Sequence, residues 1–150
     1  MSKAKLRAAT VGGTADAIES QFYEALQRGD IEKLMSCWAD EDEIVCMHPG
    51  APRLVGSASI RAAFEAMFAN GVIAARPEQV CKVESLTSAM HNVIERVALR
   101  TTDGQQEAVV VATNVYQRTA QGWRMVAHHA SPGTAANHVE AHSAPQQVLH

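Results

Sequence analysis

Apolar side chains in the first half of the chain recur at intervals of three and four residues, as they do along one face of an α-helix. This pattern predicts three helices. The first is capped by Thr14 and stopped by Gly29, and the second is capped by Asp30. The third begins at Ser57 and ends at Asn70.

After Pro77 the apolar positions alternate with polar ones, which is the period of a β-strand with one buried face. Four long strands are predicted, with turn signals at Asp103-Gly104 and Gln121-Gly122. A short strand also precedes the turn at His48-Pro49-Gly50. The predicted strands cover residues 44–47, 80–88, 93–100, 107–118 and 123–131. Helices on one face of an antiparallel sheet form an α+β fold, which is the predicted class.

Composition narrows the classes of protein. With 150 residues, of which 47% are apolar and 19% charged, the chain is expected to form one globular domain. We place this domain at residues 14–132, between an N-terminal arm (1–13) and a C-terminal tail (133–150). The net charge is −3 and no basic stripe is present, which argues against nucleic acid as a partner.

The sequence also gives no indication of a membrane or of an oxidising compartment. The longest apolar run, Ala108–Ala112, is too short to cross a bilayer, and the first residues contain no apolar signal segment. The three cysteines, Cys37, Cys46 and Cys81, are odd in number and lack Cys-x-x-Cys spacing. They are predicted to be reduced, buried and inert, in a cytoplasmic protein.

The order of several short motifs resembles a known superfamily. The motifs are the two helices joined at Gly29-Asp30, then Trp38-Ala39-Asp40, His48-Pro49, Leu54-Val55-Gly56 and the hairpin Tyr116…Gly122-Trp123. Together they resemble the nuclear transport factor 2-like superfamily, and most closely its ketosteroid isomerase-like and SnoaL-like branches. The resemblance implies a cystatin-like α+β cone, in which a strongly bent antiparallel sheet wraps around the three N-terminal helices. It also implies a pocket between helices and sheet, and a homodimer formed through the outer face of the sheet.

The catalytic positions of the ketosteroid isomerases are occupied here by other residues. The resemblance places His48 at the position of the general base, which is an aspartate in those enzymes. It places Phe22, next to Tyr23, at the tyrosine of the oxyanion hole, and Asn114 at the protonated aspartic acid. We therefore expect a persisting pocket but not steroid isomerisation.

Strand alternation determines which side chains can enter this pocket. The resemblance places the face with Ala112, Asn114 and Tyr116 inside the cone. On the last strand it points His129 and Ser131 inward, and only one of His128 and His129 can face the cavity. We favour His129, although a β-bulge would exchange the two. The remaining predicted wall residues are aromatic, namely Phe22, Trp38, Phe64 and Phe68.

The candidate catalytic residues are His48, His129, Asn114 and Glu95. Histidine can accept and donate protons near neutrality, so His48 and His129 could form an acid/base pair. Asn114 or Tyr116 could donate to a developing oxyanion, and Glu95 could orient a histidine or act as the base if burial raised its pKa. The alternative is structural: each histidine satisfies a local hydrogen bond and Glu95 forms a cross-strand ion pair.

Metal binding and cofactors are not predicted. His48, His129 and Glu95 could form a mixed imidazole and carboxylate shell, and His138 and His142 stand one helical turn apart in the tail. Neither set has the spacing of a specific metal motif. The expected partner is a small apolar organic molecule.

Three functions are open at this point. The first is an enzyme that transfers protons, of the isomerase, cyclase or dehydratase type. The second is a ligand-binding module without chemistry, and the third is an interaction domain that pairs chains through its sheet. One fold can host all three.

Overall fold

Three helices precede the main part of the sheet in the computed structural model, which describes residues 13–102 and 104–134. They are α1 (Ala15–Arg28), α2 (Ile31–Ser36) and α3 (Ser57–Ala69). The predicted N-terminal arm and C-terminal tail fall almost entirely outside the described residues.

The ends of α1 and α2 are set by the predicted capping residues. The Thr14 hydroxyl accepts a hydrogen bond from the backbone N–H of Ala17 at 3.0 Å. Gly29 takes the left-handed conformation (φ 66°) that stops α1, and the Asp30 carboxylate then accepts from the backbone N–H of Lys33 at 3.0 Å. The predicted starts of all three helices are confirmed.

Six strands form one curled sheet in the order β2-β1-β6-β5-β4-β3. All neighbours are antiparallel except β1 and β6, which run parallel. The bounds are β1 Val45–Met47, β2 Leu54–Val55, β3 Ala75–Glu84, β4 Ser88–Thr101, β5 Gly104–Thr119 and β6 Gly122–Pro132. The predicted α+β cone is therefore confirmed.

Two strands differ from the prediction. Leu54–Val55 was expected only as the entry to the third helix, but it pairs with β1. β3 begins at Ala75 and contains Pro77, which the sequence pattern placed before the strand. Proline is tolerated there because β3 is an edge strand, with one side free of the ladder.

The core lies between α1 and the inner face of the sheet. Phe22 is fully buried, and its ring meets the rings of Tyr23, Trp38 and Phe64 edge-on, with centroids 5.2 to 6.5 Å apart. Such edge-to-face contacts between aromatic rings are favourable. They fix α1 with Tyr23 facing the sheet.

A β-bulge in β6 changes which side chains face inward. Val115 of β5 pairs with Ala127, but the next residue, Tyr116, pairs with Met125, so Val126 is an extra residue without a partner. The bulge lets both Met125 and His128 point into the core, three residues apart, where regular alternation would separate them by an even number.

Two further predictions concern the cysteines and the membrane. Cys37 and Cys46 are buried as predicted, but Cys81 is exposed, because it lies on edge strand β3 beyond a local irregularity after Glu78. All three are free thiols.

Within the described part of the chain, no helix has both the length and the apolar character needed to span a bilayer.

Candidate active site

A cavity of about 230 Å³ opens between α3, the end of α1 and the inner face of the sheet. Its walls are almost wholly apolar, and three polar side chains enter it: His48, Glu95 and His128. The apolar lining consists of Leu26, Pro49, Phe64, Met67, Ile73, Ala75, Val97, Leu99, Ala108, Val110 and Ala130. Sites for small organic molecules commonly have this composition, with few polar groups in an apolar wall.

The elements of the fold deliver the three polar groups from different directions. His48 follows β1 directly, and its ring packs edge-on against Phe64 of α3 with centroids 5.1 Å apart. Glu95 points inward from β4, and His128 points inward from β6 because of the bulge. The imidazole rings of His48 and His128 lie 6.2 Å apart.

A chain of hydrogen bonds connects His128 to Glu95 behind the cavity wall. His128 Nδ1 lies 2.6 Å from Asn114 Oδ1, the Asn114 amide donates to the Tyr23 hydroxyl at 3.1 Å, and that hydroxyl donates to Glu95 Oε2 at 2.6 Å. All four residues are buried. Buried polar groups need such partners, because an unpaired one costs about 1–3 kcal/mol.

The direction of donation along this series of hydrogen bonds determines which atoms of His128 and Glu95 remain free to accept. Because an amide oxygen can only accept, His128 must donate through Nδ1, which leaves Nε2 of the neutral ring as an acceptor. At the other end Tyr23 occupies one carboxylate oxygen of Glu95, and no described residue donates to the second, Oε1. Each end of this series of hydrogen bonds, His128 and Glu95, therefore offers one acceptor atom toward the cavity.

Burial also shifts the proton affinity of Glu95 to the neutral range. Loss of hydration raises the pKa of the Glu95 carboxyl to about 7, and the negative charge of Glu19 contributes in the same direction. The hydrogen bond from Tyr23 opposes this shift. A carboxyl with this pKa can both accept and donate a proton near pH 7.

The two cavity histidines are held neutral by the same burial. Loss of hydration lowers the pKa of His128 to about 3, and repulsion from His48 and His129 adds to the effect. Burial also lowers the pKa of His48 below its ordinary value. Glu95 is therefore the cavity group that titrates at neutrality.

The structure brings together some of the predicted catalytic residues and excludes one. His48 and Glu95 line the cavity, and Asn114 lies directly behind it in the hydrogen-bonded chain. The inward placement of His129 is wrong: this side chain is exposed, and His128 takes the interior position because Val126 is bulged. The metal set of His48, His129 and Glu95 is consequently not assembled.

The predicted wall residues divide in a similar way. Phe64 lines the cavity. Ser131 was expected to face inward but is exposed, on the same outward face as His129. The others do not line the cavity: Phe22, Trp38 and Ala112 are buried elsewhere in the interior, Phe68 is half-buried on α3, and Tyr116 belongs to a second polar cluster.

That second cluster lies nearer the start of α1. The buried carboxylate of Glu19 accepts from the Tyr116 hydroxyl at 2.7 Å and lies 2.8 Å from His91 Nδ1. His91 Nε2 lies 3.0 Å from Glu84, and together with Asp16 these groups are within 4.8 Å of one another. Lys82 pairs with Asp16 at 2.9 Å. The cluster ties α1 to β3 and β4.

The predicted tail pair, His138 and His142, lies outside the described residues.

The sequence did not indicate Tyr23 as a site residue, and it left His128 only as the alternative to His129. Tyr23 shares a helical face with Glu19 and Leu26, at spacings of four and three, so the signal was present in α1. His128 could not be chosen over its neighbour, because no residue type in β6 marks the bulge.

Comparison with known proteins identifies the family. The SnoaL-like domain profile matches residues 16–135, so the chain belongs to the SnoaL-like family. The search of curated proteins gave no match.

Solved structures extend the comparison. An association domain provisionally assigned to calcium/calmodulin-dependent protein kinase type II, from Thiobacillus denitrificans, is 34% identical with a TM-score of 0.73, covering 81% of this chain and 96% of that one. A provisionally assigned dehydratase of the nuclear transport factor 2-like family, from Streptomyces avermitilis, is 32% identical with a TM-score of 0.73, covering 84% and 98%.

More distant structures share the fold alone. A ketosteroid isomerase-like protein from Erwinia carotovora atroseptica is 19% identical with a TM-score of 0.66, covering 83% of this chain and 97% of that one. Proteins described as having a cystatin-like fold align with TM-scores of 0.65 to 0.69. The expected superfamily and fold are thus confirmed.

Proposed function

We propose that the chain is an acid–base enzyme of the isomerase, cyclase or dehydratase type, acting on a small, mostly apolar organic molecule. One observation carries the proposal: a buried carboxyl, Glu95, faces an apolar cavity with one oxygen free and a pKa of about 7. Strongly shifted carboxyls in cavities are characteristic of catalytic acids and bases.

Each polar group has a role in such a reaction. Ionised Glu95 takes a proton from carbon or oxygen of the substrate, and the hydrogen bond from Tyr23 stabilises the carboxylate before transfer. Protonated Glu95 can then return the proton to another atom, which completes an isomerisation, or give it to a departing hydroxyl, which completes a dehydration. Neutral His48 has one N–H, which can donate to charge developing on a substrate oxygen.

The similarity to the dehydratase of Streptomyces avermitilis supports the class of reaction without fixing the substrate. Because Glu95 occupies a position other than the one expected for the base, His48, the chemistry centres on a carboxyl and not on a histidine pair. Proton transfer of this kind needs no redox cofactor.

Solvent deuterium exchange tests this function before the natural substrate is known. A panel of small ketones and hydroxy ketones in D₂O is followed by NMR for exchange at carbon next to the carbonyl. We expect exchange of at least one compound with the wild type, a loss of 10²-fold or more with Glu95→Gln, and unchanged exchange with the exposed control Glu41→Gln. Equal exchange by wild type and Glu95→Gln would refute the assignment of Glu95.

A second candidate function is self-association through the outer face of the sheet. It is favoured by the relative of 34% identity, which is described as an association domain. The outer face carries half-buried apolar residues that pair across strands, among them Met90, Val111, Val115 and Ala127. Contiguous apolar surface of this kind favours a protein partner.

Sedimentation velocity tests the association. We expect a dimer for the wild type and a monomer for Val115→Lys, which places a charge in the centre of the face. A wild type that sediments as a monomer at high concentration would exclude pairing. Association and catalysis are compatible, since the cavity opens on the opposite side of the sheet.

A further inference from the structure

Two acceptor atoms at the cavity have no hydrogen-bond donor among the described residues. His128 Nε2 and Glu95 Oε1 belong to residues that are only 4% and 6% exposed, and the other polar atoms of both side chains are already paired. Neither atom is among the side-chain atoms that lack both a partner and access to solvent, so both are open to the cavity. A molecule that enters the cavity can therefore place a hydrogen-bond donor on either atom in place of water.

The charges at the cavity are negative or absent. The described lining contains no lysine or arginine. His48 and His128 are held neutral by burial, and Glu95 becomes negative when it ionises. An anionic ligand would meet an ionised carboxylate without a compensating cation. A cationic ligand would lose its hydration in an apolar cavity that offers only two free acceptors, which is costly.

The cavity also has a polar end and an apolar end. Glu95 and His128 lie in its buried part, whereas Leu99 is 43% exposed and marks the open side together with the half-buried Ile73 and Val97. The volume of about 230 Å³ falls below the range of about 300–1,000 Å³ that is usual for drug-sized ligands. A ligand must be small, with its polar group inward and its hydrocarbon part toward the opening.

Resting on the proposed acid–base function, we propose that the substrate is an uncharged hydroxy compound with a compact hydrocarbon or aromatic body. Its hydroxyl group donates to the free acceptor of His128 or of Glu95, and its body contacts the apolar wall out to Leu99. The hydroxyl acts here as a donor, so an ether or hydrocarbon of the same size lacks the interaction that selects the substrate.

The experiment compares five aromatic probes that differ little in size: benzyl alcohol, anisole, toluene, benzylamine and benzoate. Their dissociation constants for the wild type are measured at pH 8.5 by NMR titration, up to 20 mM. At this pH benzoate is an anion, benzylamine carries mostly positive charge and the other three are neutral. We expect benzyl alcohol to bind best, and each other probe at least tenfold more weakly.

A substitution then tests the origin of the charge selection. Glu95→Gln keeps the shape of the side chain and an acceptor for Tyr23 but removes the charge. We expect benzoate to bind at least tenfold more tightly to this variant than to the wild type, because the repelling charge is gone. Benzyl alcohol should not gain affinity, because the amide of glutamine places a donor where Glu95 offers its free acceptor Oε1. Glu41→Gln, which removes an exposed carboxylate elsewhere, should leave both constants unchanged.

Several outcomes would overturn the inference. Anisole or toluene binding as well as benzyl alcohol would exclude the hydroxyl donor, and tightest binding of benzoate or benzylamine would exclude an uncharged substrate. No binding of any probe would exclude the site. These results are separate from the deuterium-exchange test. If the probes bind as expected but no exchange occurs, the proposed enzyme function is wrong and the proposed ligand class stands. If exchange occurs but anisole binds as well as benzyl alcohol, the enzyme function stands and the ligand class is wrong.

Discussion

Glu95 shows how a single side chain couples function to stability. Its carboxyl is buried, so ionisation above its pKa of about 7 places a charge in the apolar interior of the folded protein. In the unfolded chain the same carboxyl ionises near its ordinary pKa of about 4.3. The folded state therefore binds the proton more strongly, and its stability must fall as pH rises between these two values.

Replacement by glutamine should reveal this cost. We expect Glu95→Gln to be more stable than the wild type at pH 8 by about 4 kcal/mol, since each unit of pKa shift corresponds to about 1.4 kcal/mol. The difference should largely disappear at pH 4, where the wild-type carboxyl is protonated in both states. Urea unfolding at the two pH values measures it, and a Glu95→Gln protein that is less stable at pH 8 would contradict the burial of a charge.

Tyr23 limits the shift of Glu95 by donating to its carboxylate. We expect Tyr23→Phe to raise the pKa of Glu95 further, because the hydrogen bond favours the ionised form. The loss of stability with rising pH should then begin at the same pH as in the wild type but continue to a higher pH, because only the pKa of the folded state has risen. Tyr116→Phe is the matched control, since its hydroxyl donates to Glu19 and not to Glu95. If the pH dependence of the unfolding free energy changes equally in both variants, the effect comes from general loosening of the core and not from the hydrogen bond to Glu95.

At the scale of elements, the path of β6 determines which histidine side chain enters the site. Its bulge at Val126 places His128 inside and His129 outside, and it occurs where β6 acquires its parallel neighbour β1. The backbone of Met125 also bonds to Cys37 and Ala39, which fixes this end of the strand to the segment after α2. The bulge thus depends on contacts between distant parts of the chain.

This dependence explains how much of the site could be predicted. The starts of the helices and the alternation of β4 and β5 follow from local periodicity and were predicted correctly. The inward position of Asn114 was expected from the resemblance to the superfamily, and Asn114 is fully buried. The choice between His128 and His129 depends on tertiary pairing, and local residue types do not record it. The pKa of Glu95 likewise depends on burial by the whole fold.

The junction of α1 and α2 depends on the conformation of one glycine. Gly29 adopts φ 66° there, and a Cβ atom at this position would lie 3.2 Å from Val72 Cγ1. We expect Gly29→Ala to lower the free energy of unfolding by about 1–2 kcal/mol, and Gly29→Asn to cost less, because asparagine tolerates the left-handed region better. Thermal unfolding checks the order. Equal stability of Gly29→Ala and wild type would show that the junction relaxes without cost.

At the scale of the whole molecule, the curl of the sheet is what makes a site from separate strands. Hydrogen bonds join β6, β5, α1 and β4 through His128, Asn114, Tyr23 and Glu95. This series of hydrogen bonds therefore crosses the interior of the cone. The same fold supports proteins described as dehydratases, isomerase-like proteins and association domains. The function therefore depends on the side chains that this cone encloses and not on the cone itself.

The central claim is that the fold holds one carboxyl poised to transfer protons at neutral pH. The most direct measurement is an NMR titration of the protein with ¹³C-labelled glutamate side chains, which follows each carboxyl from pH 3 to pH 9. We predict one resonance that titrates near pH 7 and is absent from Glu95→Gln. If every glutamate titrates below about pH 5 in the folded protein, Glu95 is an ordinary acid and the proposed chemistry is wrong.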